Sequence, residues 1–84
     1  MSNLHVRYNG QSQDIAFSDI FTEERLERIG ADPAIGLNAN QLNPEQIKSA
    51  VAQHLDTALS EFDEYQVEYH KTGNITLRPD AVFG

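Results

Sequence analysis

The sequence has no cysteine. A disulfide framework, a thiolate metal site and a cysteine nucleophile are all excluded. Positive charge is scarce: Lys and Arg total 6 against 13 Asp and Glu, a formal charge of −7. Phosphate backbones require a basic face, so this balance argues against nucleic acid. It argues equally against an anionic membrane surface. Long hydrophobic runs are missing as well, and the apolar stretches present fall far below the ~20 residues needed to span a bilayer. The opening Met1-Ser2-Asn3-Leu4 does not join a basic region to an apolar run, so no signal peptide is expected and the expected compartment is the cytoplasm. His5, His54 and His70 stand in no His-x-x-His or HExxH spacing. Gly30, Gly36 and Gly73 are isolated, which leaves no Gly-rich phosphate loop, and no serine sits in a nucleophile elbow. No catalytic residue, metal site or cofactor is therefore expected.

What is present is an acidic chain of 84 residues, the length of one domain over 1–84. Its longest patterned stretch is 43–62. There Ile47, Ala50, Val51, His54, Leu55, Ala58, Leu59 and Phe62 recur at steps of three and four, one stripe of an amphipathic helix over about 44–62. Asn43 is placed to cap it, Pro44 suits the first helical position, and Gln46 can close a capping box. Leu42 and Ile47 stand at the positions of a hydrophobic staple. His54 reads as a boundary residue on the stripe. Glu61, Asp63 and Glu64 would then lie at the negative end of the helix dipole.

Before this helix, Leu4, Val6 and Tyr8 alternate and lead into Asn9-Gly10, the strongest short hairpin signal. A two-residue loop pairs Tyr8 with Gln11, Val6 with Gln13 and Leu4 with Ile15, which collects Leu4, Val6, Ile15 and Phe17 on one face. Residues 22–30 read as a short helix capped by Thr22 and ended by Gly30, with Ile20, Phe21, Leu26 and Ile29 as anchors. The connection 31–42 is rich in turn formers, with Asp32-Pro33 set to begin a 3₁₀ turn and Ile35 and Leu37 to hold it. After the helix, Tyr65, Val67 and Tyr69 alternate, and Ile75-Thr76-Leu77-Arg78 returns past Thr72-Gly73-Asn74. The expected pairing sets Tyr69 with Leu77 and Glu68 opposite Arg78, and Pro79 ends it, leaving a short tail over 79–84.

The order of elements, two hairpins around one main helix, predicts an α+β fold. One mixed four-stranded sheet is covered by that helix, and the most economical arrangement is a β-grasp with the first and last strands parallel in the middle. Tyr8-Asn9-Gly10, Leu42-Asn43-Pro44-Glu45-Gln46-Ile47, the closing hairpin and a terminal glycine together resemble the prokaryotic ubiquitin-like proteins. The nearest group is the small ubiquitin-like protein of PRTRC systems. The resemblance implies a ubiquitin-like β-grasp, a protein partner and, in related operons, an adenylating enzyme acting on the C-terminal glycine, here Gly84. Ubiquitin and the sulfur carriers end in Gly-Gly, whereas this chain ends in Phe83-Gly84. Val82 and Phe83 packed back on the sheet is the alternative.

Three functions stand open at this point. The leading one is a non-enzymatic ubiquitin-like protein–protein interaction module. The second is a modifier or carrier activated at Gly84. The third is an acidic inhibitor that mimics nucleic acid. The candidate surface for a basic protein partner is Glu61, Asp63, Glu64 and Glu68.

Overall fold

The computed structural model describes residues 2–36 and 38–80. Strand β1 (Asn3–Tyr8) turns through Asn9 and Gly10 into β2 (Gln11–Ala16). Both turn residues have positive φ, 55° and 74°, the signature of a type I′ turn, whose twist matches that of the flanking strands. The register is the expected one, Tyr8 with Gln11 through Leu4 with Ile15. The strand stops at Ala16. Phe17, expected to continue it, instead opens a four-residue helix α1 (Phe17–Ile20) and is buried there with Ile20. A single turn is too short for periodicity to reveal.

Helix α2 (Glu23–Arg28) is capped as expected: the Thr22 hydroxyl accepts from the Arg25 amide at 3.2 Å. Its end is a Schellman motif, with the Ala31 amide on the Leu26 carbonyl and the Gly30 amide on that of Glu27. Ile29, expected as an anchor, is only partly buried, whereas Leu26 is fully enclosed. The connection that follows holds two 3₁₀ turns, Pro33–Ile35 and Ala39–Gln41. The first starts at Asp32, whose carboxylate accepts from the Ala34 amide at 2.9 Å. Leu37, the other residue expected to hold this loop, lies outside the described residues.

Helix α3 (Pro44–His54) opens with the full capping box: Gln46 N–H on Asn43 Oδ1 at 2.8 Å, and Asn43 N–H on Gln46 Oε1 at 3.1 Å. It is shorter than the stripe predicts, and the expected helix over 44–62 is wrong beyond His54. The Thr57 amide reaches back to the Ala52 carbonyl and the Asp56 amide to that of Gln53, a second Schellman ending with Asp56 at φ 54°. Asp56 and Thr57 are poor helix formers, and Asp is among the few side chains that tolerate the left-handed conformation. The chain then turns, and a 3₁₀ segment (Leu59–Phe62) carries it to the sheet. His54 and Ala58 are exposed, Leu55 is partly buried, and Leu59 is 41% exposed, so neither leucine is the core anchor its spacing suggests. Phe62 is fully buried all the same, because the turn delivers it from a different direction. Ala52, off the expected stripe, is buried.

Strands β3 (Tyr65–Tyr69) and β4 (Ile75–Pro79) close the sheet in the order β2-β1-β4-β3, with β1 and β4 parallel. Their register is shifted by two from the expected one. Tyr69 pairs with Ile75 and Glu68 with Thr76, while Arg78 lies opposite Gln66. The His70 amide donates to the Asn74 carbonyl at 2.9 Å, which closes the loop at 70–74, and Ile75, paired with Leu4 of β1, is fully buried. A shift of two keeps every side chain on its expected face. Pairing also runs one residue past Pro79, because the Asp80 amide donates to the Glu64 carbonyl at 2.9 Å. The proline nitrogen points toward β1 instead, and the β1–β4 ladder ends at Val6 with Leu77. The α+β class and the mixed four-stranded sheet with a helix across one face hold.

Two stability outcomes follow from this core. In urea unfolding, Phe62→Ala costs about 3–5 kcal/mol, the range for a buried aromatic, while Leu59→Ala stays within about 0.5 kcal/mol. At the end of α3, Asp56→Val costs about 1–2 kcal/mol, because a β-branched side chain is strained at positive φ, while Asp56→Gly costs nothing measurable.

Candidate functional site

The turn Leu59–Phe62 and the start of β3 come together with the end of β4 around an open groove of about 460 Å³. The Asp80 amide on the Glu64 carbonyl joins two of its lining residues. Glu61, Asp63, Glu64 and Asp80 supply its carboxylates, with Tyr65 and Pro79 beside them. No Lys or Arg lines it. Glu61 accepts from the Tyr8 hydroxyl at 3.2 Å, and that hydroxyl also stands 3.1 Å from Thr57 Oγ1, so the segment after α3 is tied to the first hairpin. Asp80 accepts from Gln66 Nε2 at 2.8 Å. Beneath the groove, Phe62 contacts Tyr65 edge-to-face at 4.8 Å and Tyr8 at 5.4 Å. Burial pushes the Tyr65 hydroxyl above its usual range, and the nearby Tyr8 and Glu61 add to the rise against an opposing pull from Arg7. Tyr65 is therefore a neutral hydrogen-bonding group at physiological pH.

Of the four acids expected to form one surface, the structure brings Glu61, Asp63 and Glu64 together. Glu68 is not part of the groove. It lies two strand positions beyond Gln66 on the open face of the sheet, where Arg78 Nε donates to its carboxylate at 2.5 Å. The two residues meet on the diagonal, since their direct partners are Thr76 and Gln66. Asp80 takes the fourth place in the groove. The sequence assigns it to the tail, and only the observed hairpin register, shifted by two from the expected one, sets it across from Glu64. Gly84, the candidate modifier terminus, lies outside the described residues, as do Val82 and Phe83. With α3 ending at His54, the groove acids do not oppose its dipole.

The open face of the sheet carries two further polar pairs, His5 Nδ1 with Asp14 Oδ1 at 2.7 Å and His70 Nε2 with Thr76 Oγ1 at 2.8 Å. Among the described residues no polar or charged side chain is buried. No cluster of three or more His, Asp or Glu among them is arranged to hold a metal, and no helix is long and apolar enough to cross a membrane. No family model, curated protein or solved structure matches the chain.

The Glu68–Arg78 pair has a readable titration. The hydrogen bond from Arg78, with its charge second, holds the Glu68 carboxyl below its ordinary 4.5. A depressed folded value means that the pair's contribution is complete above pH 4.5 and fades as pH falls through the lower folded value. In an NMR titration the Glu68 midpoint lies below 4.5 and returns toward it in Arg78→Gln. An unchanged midpoint in that variant would contradict the pairing.

Proposed function

We propose that the protein is a non-enzymatic, ubiquitin-like protein–protein interaction module with a β-grasp arrangement, and that its acidic groove engages a basic segment of a protein partner. The observation that carries this reading is the groove lining: Glu61, Asp63, Glu64 and Asp80 with no cationic side chain among them. Four carboxylates at one end of a chain of net charge −7 raise the local concentration of cations and steer basic partners into contact. The strand order β2-β1-β4-β3 with its parallel central pair, and helix α3 across one face, support the β-grasp part of the reading. That support is an analogy of architecture, while the charge argument stands on the site itself.

The test uses hexalysine as the probe. Its affinity falls steeply between about 0.01 M and 1 M salt, as the screening length shrinks from roughly 30 to 3 Å. The triple reversal Glu61→Lys, Asp63→Lys, Glu64→Lys abolishes binding, and deletion of Gly84 leaves it intact. Binding that is flat with salt would remove the groove as the interface. Loss of binding on the Gly84 deletion would favour a modifier acting through its C-terminus.

A further inference from the structure

Strand β3 is one of the two edges of the sheet. In its pairing with β4 the His70 amide and the Glu64 carbonyl both point at β4. Antiparallel bonded pairs recur at every second residue, so Gln66 and Glu68 also face β4. The N–H and C=O groups of Tyr65, Val67 and Tyr69 therefore point away from the sheet. None of the hydrogen bonds among the described residues occupies them.

The side chains of the same three residues form the row of β3 that faces the helix layer, and this row is only partly covered. Tyr65 and Val67 are half-buried against the core, and Tyr69 is 42% exposed, with its hydroxyl donating to the Leu42 carbonyl at 2.7 Å. On the opposite face of the strand, Glu64 and Glu68 flank Gln66. The edge thus combines free backbone groups with an apolar row on one face and a mainly acidic row on the other. The β2 edge differs. There the residues on the inner face are exposed Gln11 and Gln13 and the already buried Ile15, so an added strand would cover no further apolar surface.

The geometry points to β3 as a site of strand addition: an extended segment of a protein partner, alternating apolar and basic residues, joins the sheet at this edge. This deepens the charge-based reading above and rests on it. Backbone groups of Tyr65, Val67 and Tyr69 supply the hydrogen bonds, and main-chain pairing of this kind leaves specificity to alternate side chains. Apolar residues of the added strand lie beside Tyr65, Val67 and Tyr69. Its basic residues lie beside Glu64, which lines the acidic groove, and beside Glu68 farther along the open face, where Arg78 also reaches it. Exposed edges are usually protected by charged side chains, above all lysine, by a proline or by a bulge, and β3 carries only the charge of Glu68.

The probe is a short capped peptide of alternating Lys and Val, compared with a peptide of the same composition arranged in two blocks. With the alternating peptide, amide exchange at Tyr65, Val67 and Tyr69 slows about tenfold or more, because a hydrogen-bonded N–H exchanges only on opening. Exchange at Ser12, Asp14 and Ala16 on the β2 edge is unchanged. Val67→Pro removes one outward donor without touching the β4 ladder and weakens binding about tenfold or more, while Ser12→Pro at the other edge does not. Thermal unfolding establishes that both variants fold. Should Val67→Pro fail to fold, Tyr69→Lys places a cation in the apolar row and abolishes binding instead. Equal binding of the two peptides with no slowing at β3 would overturn strand addition and leave the charge-driven reading standing. Failure of the alternating peptide alone, with hexalysine still bound, would do the same. Failure of hexalysine as well would overturn both. Slowing at these three amides that rises with protein concentration in the absence of peptide would assign the edge to a second copy of the chain and overturn its assignment to a partner.

Discussion

Everything in this molecule depends on the parallel pairing of β1 with β4. Only three residue pairs make it, Leu4 with Ile75, His5 with Thr76 and Val6 with Leu77. It joins two hairpins that would otherwise each be a marginal ribbon. It also brings Leu4, Val6, Ile75 and Leu77, all fully buried, into one row under α3. The Asn3 amide, bonded to Asn74 Oδ1 at 2.9 Å, fixes where that ladder begins, and the missing donor of Pro79 marks where it stops. The groove exists because β4 is held in this place, since its end carries Asp80 to Glu64.

Local chemistry made some of this legible and hid the rest. Asn9-Gly10 admits essentially one turn geometry, and the apolar alternation around it agreed, so the first hairpin could be read to the residue. The same holds for the start of α3, where Asn43, Pro44 and Gln46 each satisfy or avoid an orphan amide. The end of α3 was not legible. The stripe runs on through Leu55, Leu59 and Phe62, and Phe62 does reach the core, but by way of a turn at Asp56 that leaves Leu59 in solvent. Periodicity records which residues are apolar and not whether the backbone between them stays helical.

The groove was legible in part for a related reason. Glu61, Asp63 and Glu64 are close in sequence and remain close in space. Glu68 looks like a continuation of the cluster, yet a strand rises about 3.3 Å per residue, which carries it away from the turn and next to Arg78. Asp80 arrives from a separate strand, and only the hairpin register could have placed it. That register was out by two because Thr72-Gly73-Asn74 allows several loop lengths of the same parity. The observed one sets Ile75 beside Leu4 of β1, a pairing that exists only in the assembled fold.

The position of β4 in the middle of the sheet has a consequence for biosynthesis. The strand that separates β1 from β3 is the last regular element among the described residues. During translation the first hairpin and α3 emerge and can fold locally, but β3 has no neighbour in the sheet until the ribosome has released residues beyond 77. Leu4 and Val6 stay without their permanent neighbours for the same interval. Assembly of this sheet therefore waits until β4 has left the ribosome, and the nascent chain presents an open β1 edge to chaperones until then.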